Sequence, residues 1–374
     1  MGSPFPVEFT PWWTAGHGTP TCAVRRVVLV VVHSVASAER LHTAVRAIEE
    51  VPGLQVVFTR PPGPAEVPIG DFLATIGVLT TPWERAVRER FDLVIAAAPT
   101  GAGWPSGALL LLPEVSVDGE IVDQYGRCCV AALARLLDRR SSSTGPLLVG
   151  LPHLRAVARL RAAAPKLGRH ATVVGDPGYD ELLEACRTGV RTVGGRKLGL
   201  VLSARGAESL LGRSPALLRR LVSELPAREV RLVCRLDAEV WARHGRRQLL
   251  AWAGRAVREQ VEFLPPGHGW QDLAAEADFI VGDQGHDTAR IAATGKPVYL
   301  ANPVPDPVAG SLGEAVAGYG TTLDPAFPLA PQLRWKPRPT TRIARRLTSA
   351  PGQSTSLLRR HCFRLMRLTG SPAH

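Results

Sequence analysis

The sequence has few features of a secreted, membrane-spanning or metal-binding protein. Its 374 residues include six cysteines and two methionines, and the scattered cysteines lack the paired spacing of a zinc site or a disulfide framework. The longest apolar run near the start, 27–32, is far shorter than the roughly 20 residues that a membrane-spanning helix needs. The first 23 residues also lack the basic and apolar regions of a signal peptide. We therefore expect a cytoplasmic protein.

Common short motifs of nucleotide and hydrolytic chemistry are missing as well. The pair Gly295-Lys296 is followed by Pro297 and lacks the leading glycine of a P-loop, which argues against a GTPase or ATPase of that class. No nucleophile-elbow serine, no H-E-x-x-H helix and no glycine-rich dinucleotide fingerprint occurs. We accordingly predict no metal site and no bound cofactor.

Lysine is scarce, because only four of the 45 basic residues are lysine, and we attribute this arginine usage to the codon bias of a GC-rich genome. The formal net charge is +12, yet residues 331–374 hold ten basic residues and no acidic one. The rest of the chain carries 35 basic and 33 acidic residues and is close to neutral. A basic tail with no aromatic stacking platform disfavours nucleic acid as a partner.

The hydrophobic pattern alternates short β-branched runs with helical stretches, which is typical of parallel α/β domains. This alternation begins near residue 26, is interrupted by the glycine-containing stretch Thr188–Arg196, and then resumes. The predicted strands are Arg26–His33, Gln55–Thr59, Asp92–Ala97, Leu109–Pro113, Leu147–Gly150, Ala171–Val174, Leu198–Ser203, Glu229–Cys234, Val261–Leu264, Phe279–Val281 and Val298–Ala301.

These runs predict two Rossmann-like domains that face a cleft, a common place for a ligand. We assign an N-terminal extension to residues 1–23, the first domain to 24–190 and the second to 191–335, with a hinge at Thr188–Arg196. Residues 302–341 are predicted to be a proline-rich connection. The basic tail, 336–374, is predicted to form amphipathic helices that break near Pro351-Gly352 and pack back on the first domain.

The sharpest local motif is the segment Gly282–Thr288, a strand end, a turn and a helix start. Unpaired N–H groups and the helix dipole at such a place attract a diphosphate, and the two glycines allow close approach of a ligand. An ordinary turn with a capping aspartate is the alternative. The predicted donor-binding residues here are Gly282, Asp283, Gln284, Gly285, His286, Asp287 and Thr288.

Two further turns also follow strands and are expected to reach the same cleft, since ligands gather at the carboxyl ends of parallel strands. Arg205 and Gly206 follow the first strand of the second half, where Arg205 either pairs with a phosphate or is a solvated loop residue. Gly175 and Asp176 join a strand to a helix, with an ordinary tight turn as the alternative.

Two residues are candidates for a general base. His33 ends the first predicted strand and would open into the cleft, and Glu114 follows a strand with equivalent geometry. For each of them, a structural role is the competing interpretation.

As a set, several of these residues resemble a family of actinobacterial proteins with the two-domain glycosyltransferase-B (GT-B) type fold. That family is related to CDP-glycerol glycerophosphotransferases and, more remotely, to UDP-N-acetylglucosamine 2-epimerases. Its members are often labelled translation initiation factor 2, a label that does not agree with the absence of a P-loop from this sequence. The resemblance runs from Val27 to about Leu368 and is carried by His33, Val57-Phe58-Thr59, Pro82-Trp83-Glu84, Gly150-Leu151-Pro152-His153, Gly175-Asp176-Pro177, Tyr179-Asp180, Val240-Trp241, His244-Gly245, Gly282-Asp283 and Gly295-Lys296-Pro297-Val298.

The chain departs from that family at its histidines. Asp237-Ala238-Glu239 stands where a His-Pro-Asn is expected, Gln284 replaces a histidine after Gly282-Asp283, and Glu114-Val115 replaces a His-Gly. Histidines are the groups suited to acid, base or phosphate-donor roles in phosphoryl transfer. His286 lies two positions beyond Gln284 and offers a substitute in a shifted register.

The resemblance therefore implies a glycosyl- or glycerophosphotransferase-like protein with a nucleotide-activated donor in its cleft. The alternative is a catalytically inactive GT-B-fold scaffold or ligand-sensing protein. The arginines of the tail are expected either to pair with acidic groups at a domain interface or to contact an anionic membrane peripherally.

Overall fold

Two parallel β-sheets, each of six strands, organise the chain. The computed structural model describes residues 23–63, 66–99, 104–123, 125–139, 145–189, 195–267, 269–333 and 341–367. The strands are β1 (Arg26–Val31), β2 (Leu54–Thr59), β3 (Arg90–Ala96), β4 (Ser106–Leu111), β5 (Glu114–Val115), β6 (Ile121–Val122), β7 (Leu147–Leu151), β8 (Ala171–Val173), β9 (Lys197–Ser203), β10 (Val230–Leu236), β11 (Val261–Leu264), β12 (Phe279–Gly282), β13 (Val298–Ala301) and β14 (Thr321–Leu323).

Helices connect the strands and cover both faces of each sheet. They are α1 (Val35–Glu49), α2 (Glu66–Thr75), α3 (Trp83–Ala86), α4 (Val130–Arg139), α5 (Leu154–Ala163), α6 (Pro165–Gly168), α7 (Pro177–Thr188), α8 (Leu210–Arg213), α9 (Leu217–Glu224), α10 (Ala238–Ala253), α11 (Arg255–Gln260), α12 (Trp270–Glu276), α13 (His286–Ala293), α14 (Leu312–Tyr319), α15 (Thr341–Leu347) and α16 (Ser354–Leu365).

The strand order is β2-β1-β3-β4-β7-β8 in the first sheet and β11-β10-β9-β12-β13-β14 in the second, and a short antiparallel hairpin joins β5 to β6. Strand β1 shows why the sequence selects this arrangement. Its Val28 and Val30 pack into one core and Leu29 and Val31 into the core on the opposite face. Side chains of a strand alternate between faces, so a continuous run of branched apolar residues fits a strand that is covered on both sides. The predicted doubly covered α/β architecture is confirmed.

The last helix, α16, packs back on the first sheet, as predicted. It contacts α1 and β4, and its apolar residues Leu358, Cys362, Leu365 and Met366 join the core beneath α1. Leu358 is 2% exposed, and fully burying one such side chain contributes about 1.5–3 kcal/mol. The last helix of the chain therefore packs on the first domain.

The chain also differs from the sequence prediction between residues 302 and 341, where α14, β14 and a 3-10 turn (Ala330–Gln332) stand in place of an irregular connection. Ser311 caps α14 by accepting from the Glu314 N–H, and β14 pairs with β13 at the sheet edge. A three-residue edge strand is too short to leave a hydrophobic period in the sequence. Helix α2 was also not predicted, because Pro68 interrupts its pattern.

Some predicted segments lie partly outside the described residues. These are the N-terminal extension up to residue 22, the part of the predicted hinge at 190–194, and 334–340 and 368–374 of the tail. Among the helices that the structure describes, none combines the length and the apolar character needed to span a membrane.

Candidate functional site

A cleft of about 680 Å³ lies where the carboxyl ends of the two sheets face each other. From the second sheet it is lined by Ser203 at the end of β9, Asp237 after β10 and Asp283 after β12. The first half contributes residues of α1, the β5–β6 hairpin and the N-terminal turns of α5 and α7. Of the predicted site residues, those that line the cleft are Glu114, Gly175, Asp176, Arg205, Asp283, Gln284, Gly285, His286, Asp287 and Thr288.

The structure does not bring His33, Gly206 or Gly282 to the cleft lining. Strand β1 ends at Val31, and the His33 N–H donates to the Ser37 hydroxyl in the cap of α1. The His33 ring is buried, and neither nitrogen has a hydrogen-bond partner among the described residues. Burial lowers the pKa of His33 to about 4, so the ring is neutral in the fold. The expectation that His33 opens into the cleft is corrected.

The glycines of the Gly282–Thr288 segment accommodate neighbouring protein atoms. A Cβ on Gly282 would lie 2.5 Å from the Thr288 hydroxyl oxygen, and one on Gly285 would lie 2.7 Å from an Asp283 carboxylate oxygen. Asp283 accepts three backbone N–H bonds, from Ala204 at 2.7 Å, Leu210 at 3.0 Å and Gly285 at 2.9 Å. Burial nevertheless raises the pKa of this carboxyl above its ordinary value. Asp283 therefore ties the β9 and β12 turns together.

Gln284, predicted to bind the donor, also ties backbone segments together. Its carbonyl oxygen accepts from the Val304 N–H at 2.6 Å, and its amide nitrogen lies 3.5 Å from the Gly313 carbonyl oxygen. The side chain is buried. It holds the loop that follows β13 against the N-terminus of α14.

His286 is placed differently, because it is the first residue of α13 and lines the cleft. Within the described part of the chain, no protein group forms a hydrogen bond with its ring. Burial and the Arg290 charge lower its pKa below the ordinary value, against the opposing effect of Glu114, Asp176 and Asp287. The ring is therefore a neutral imidazole with nitrogens available to a ligand.

The N-terminus of α13 has no side-chain cap, since its N-cap residue is Gly285. The first-turn N–H groups of a helix lack intrahelical partners, and the helix dipole adds partial positive charge there. Gly285, His286, Asp287 and Thr288 all line the cleft. This end of α13 is suited to bind a phosphate group.

Asp287 and Asp176 belong to a chain of alternating charges that crosses the cleft. Arg235 forms a bidentate pair with Glu39 of α1, at 3.1 and 3.0 Å, and also donates to Asp287 at 3.0 Å. Arg290 binds Asp287 at 2.8 Å and Asp176 at 3.0 Å. We call these five residues the ion-pair chain. It joins α1 and the start of α7 to the second sheet.

Each of the three carboxylates in the ion-pair chain binds at least one of its two guanidiniums. Burial opposes ionisation of Asp287 and Asp176, but the neighbouring guanidiniums outweigh it and lower the pKa of both carboxyls. The Arg235 guanidinium also lies over the Trp270 ring, 4.8 Å from its centroid. The two carboxylates predicted to meet a ligand are thus held ionised by protein arginines.

The start of α16 packs closely against the Gly175 turn. Gly175 has φ +78°, and a Cβ there would lie 3.0 Å from the Ser354 Cβ and 3.2 Å from the Ala350 carbonyl oxygen. The missing side chain lets the start of α16 pass close to the turn. The adjacent Asp176 caps α7 by accepting from the Tyr179 N–H at 2.9 Å.

Arg205 and Glu114, predicted in separate roles, bind each other across the cleft. One terminal nitrogen of Arg205 donates to both Glu114 oxygens, at 3.0 and 3.1 Å. Burial opposes ionisation of Glu114, but Arg205, Arg40 and His286 outweigh it and lower its pKa. Glu114 is thus an ionised partner of Arg205, while Nε and the second terminal nitrogen of Arg205 retain donors for a ligand.

No family model matches the chain, and no curated protein matches it. Among solved structures, the wall teichoic acid polymerase TagF in a histidine-to-alanine form matches with a TM-score of 0.54 and 11% identity, over 91% of this chain and 89% of that one. A histidine-to-asparagine form of TagF soaked with CDPG matches with a TM-score of 0.51 and 10% identity, over 92% and 89%.

The two TagF structures share both halves of the fold with this chain. The protein has a GT-B type fold. Identities near 10% establish the fold and leave the chemistry to the residues in the cleft. In this fold, the two Rossmann-like domains face each other across the cleft described above.

Sequence reasoning missed several residues of the GT-B cleft. Arg235 and Arg290 were not singled out, although an arginine within the apolar strand β10 is a signal for a buried ion pair. Asp237 was noted only as a departure from the family. It caps α10 by accepting from the Glu239 N–H at 2.8 Å, and burial raises its pKa to about 6.

His153 fixes a loop of the first domain to the tail. Its Nδ1 accepts from the Arg155 N–H at 2.9 Å, which assigns the proton to Nε2, and Nε2 donates to the Arg345 carbonyl at 2.7 Å.

Among the described residues, no group of His, Cys, Asp and Glu side chains has a metal-binding arrangement.

Proposed function

We propose that the protein is a glycosyl- or glycerophosphotransferase-like enzyme that binds a nucleotide-activated donor in the cleft. The observation that carries this proposal is the uncapped N-terminus of α13 with the unpartnered His286 ring beside it. An anion site and a neutral base then adjoin in one cleft, as transfer from a nucleoside diphosphate to a hydroxyl requires.

In this proposal, the donor diphosphate binds the first-turn N–H groups of α13. Two guanidiniums compensate the Asp287 carboxylate in that turn, which reduces its repulsion of the phosphates. The remaining Arg205 donors face the same cleft, and Glu114 orients Arg205. The predicted phosphate role of Arg205 is thus retained, and Glu114 becomes a positioning residue.

His286 is the proposed general base. The acceptor hydroxyl oxygen would form a bond to the transferred group, the bond to the departing nucleotide would break, and the hydroxyl proton would pass to the ring. The leaving phosphate would then hold the electron pair, and the α13 N–H groups would stabilise its charge. His286 replaces His33 and Glu114 in this role, because His33 does not line the cleft and Glu114 is already ion-paired.

CDP-glycerol is the first donor to test, followed by UDP- and GDP-sugars, since a TagF neighbour was soaked with CDPG. Thermal unfolding should be measured with each. At a hundredfold excess over the dissociation constant, a ligand of the folded state adds about 2.7 kcal/mol of stability and raises the melting temperature. If none of these nucleotides shifts it, the transferase proposal is wrong.

Substitution separates binding from catalysis. For His286→Asn we expect donor binding to persist and turnover to fall by about 10²–10⁴-fold, the typical contribution of a general base. His244→Asn is the matched control, because His244 is an exposed histidine of α10 that contacts Trp252. Turnover that is equal in both variants would exclude His286 as the base.

A catalytically inactive scaffold or ligand-sensing protein is the second candidate. It is favoured by the arginine pairs, because Arg205, Arg235 and Arg290 each bind a protein carboxylate across the cleft. It is also consistent with the absent family histidines at Asp237 and Gln284. Nucleotide binding without release of free nucleotide in the presence of candidate acceptors would support it.

We also propose a cytoplasmic enzyme whose α16 contacts an anionic membrane peripherally. Arg360 and Arg364 are exposed on α16, while Leu358 and Leu365 face the core. The basic face of this amphipathic helix is therefore available to lipid headgroups.

A further inference from the structure

Three arginines converge at one part of the cleft wall, away from the ion-pair chain. Arg155 and Arg159 lie one turn apart on α5, and Arg346 lies on α15. Arg155 and Arg346 both donate to the Gly310 carbonyl oxygen, the former at 3.3 Å. Arg159 donates to the Asp118 carbonyl oxygen at 2.7 Å, at the tip of the β5–β6 hairpin. All three line the cleft, and we call them the arginine triad.

The arginine triad has no carboxylate partner among the described residues, since its hydrogen bonds there go to backbone carbonyls. The nearby Glu314 carboxylate accepts from Arg342 and from the Gly310 N–H instead. This sets the triad apart from Arg205, Arg235 and Arg290, which are all paired with carboxylates.

An anion would relieve three repulsive features of this arrangement. Like charges four residues apart on a helix repel each other. Arg155 also stands in the first turn of α5, where the helix dipole disfavours a cation. Two guanidiniums that share one carbonyl oxygen add further repulsion.

The backbone accommodates these side chains closely. Gly119 has φ +84°, and a Cβ there would lie 2.6 Å from an Arg159 terminal nitrogen. Gly310 has φ +76°, and a Cβ there would lie 3.2 Å from an Arg346 terminal nitrogen. Glycine at both turns lets the guanidiniums rest against the main chain. The arginine positions are thus determined by the fold.

We propose that the arginine triad is a second anion subsite of the cleft, and that it binds a phosphate ester. Each guanidinium uses one terminal nitrogen on a carbonyl and keeps donors for an oxyanion, which planar guanidiniums bind in a bidentate manner. The subsite shares no residue with the N-terminus of α13. Its use for a phosphate on the acceptor rests on the proposed function, whereas anion binding itself does not.

The test measures the binding of two probes, a soluble phosphate ester and a phospholipid vesicle, to the full chain. Glycerol 3-phosphate binding is measured by calorimetry, and vesicle binding by sedimentation with phosphatidylcholine and phosphatidic acid in equal parts. We expect the double variant Arg155→Gln/Arg346→Gln to weaken binding of at least one source by about tenfold or more, the effect of losing charge-assisted hydrogen bonds. Arg161→Gln is the control, because Arg161 lies on the same helix and donates to Gly168 outside the cleft.

The outcomes identify the source. Loss of glycerol 3-phosphate binding supports a soluble phosphate ester, and loss of vesicle binding alone supports a lipid headgroup. The subsite is rejected if the wild type binds neither probe, or if Arg161→Gln has the same effect. It is also rejected if the triad variant binds both probes as tightly as the wild type does, and a loss of vesicle binding in Arg360→Gln/Arg364→Gln would then assign the lipid contact to α16. Nucleotide-induced thermal shifts with the triad variant report separately on the donor site.

Discussion

The carboxylates of the ion-pair chain and of Glu114 are paired with arginines, whereas the His33 ring is buried without a hydrogen-bond partner among the described residues. Its ring nitrogens have no hydrogen bond within the described residues, and burial lowers its pKa from 6.5 to about 4. The unfolded chain takes up this proton at a higher pH than the folded chain does. The stability that neutral His33 contributes is therefore complete above pH 6.5 and is lost as the pH falls toward 4.

His33→Gln should remove this pH dependence. Between pH 6.5 and 4, the wild-type free energy of unfolding should fall by about 3 kcal/mol more than that of the variant, the equivalent of the pKa difference. Urea unfolding across this pH range measures it. Burial raises the pKa of Asp237 to about 6, so protonation of this carboxyl makes the folded state more stable as the pH falls. This contribution is present in both proteins and cancels in the difference between them.

His244→Gln is the control, since His244 is an exposed histidine on α10. The free energy of unfolding of this variant should change with pH as that of the wild type does. If the difference between the wild type and His33→Gln does not change with pH, the neutral state assigned to His33 is incorrect.

Helix α16 depends for its start on a residue of α7. The Asp180 carboxylate accepts from the Gly352 N–H at 2.7 Å and from the Ser354 N–H at 2.6 Å. The Ser354 hydroxyl in turn donates to the Val174 carbonyl at 2.8 Å, beside the Gly175 turn. A residue from another helix therefore serves as the cap that Gln353 does not supply.

Asp180→Ala should destabilise the docking of α16. We expect a loss of about 1–2 kcal/mol, the usual cost of removing a helix cap, together with faster hydrogen exchange of the α16 amides. Glu184→Ala on the same helix is the control. Among the described residues, the Glu184 carboxylate forms only an exposed pair with Arg187, so the substitution should cost less than about 0.5 kcal/mol. Equal exchange rates in the two variants would contradict the capping role.

The two domains of the whole molecule are held together by charge as well as by α16. Arg235 of the second sheet pairs with Glu39 of the first domain, and its side chain is 8% exposed. Breaking such a buried pair leaves carboxylates without their cation. The ion-pair chain thereby couples the relative position of the domains to the integrity of the cleft.

Arg235→Gln should lower the free energy of unfolding by about 3–5 kcal/mol and increase the radius of gyration measured by X-ray scattering. Arg231→Gln is the matched control. Arg231 lies on the same strand and pairs with Glu262 at the surface, with 43% and 49% of the two side chains exposed, so its loss should cost at most about 1 kcal/mol. Similar losses in both variants would show that the ion-pair chain does not hold the domains.

The sequence by itself determined most strands of the two sheets and their order along the chain. Runs such as 27–32 are apolar at every position because both faces of a parallel sheet are covered. The apolar positions Leu358, Leu365 and Met366 likewise indicated the buried face of α16. These signals are local in the chain. The three-residue strand β14 was not predicted because it is too short to show a hydrophobic period, and α2 was not predicted because Pro68 interrupts its pattern.

Only the tertiary structure decided which charged groups meet. Glu114 and Arg205 are 91 residues apart, and Glu39 and Arg235 are 196 apart, so no spacing rule links them. The predicted ligand residues Asp283 and Gln284 turned out to bind backbone groups, while His286, two positions further along, lines the cleft with its ring unpartnered by the described residues. Burial and pairing of a polar side chain depend on what packs against it from distant parts of the chain, and these two properties determine which side chains of this cleft remain available to a ligand.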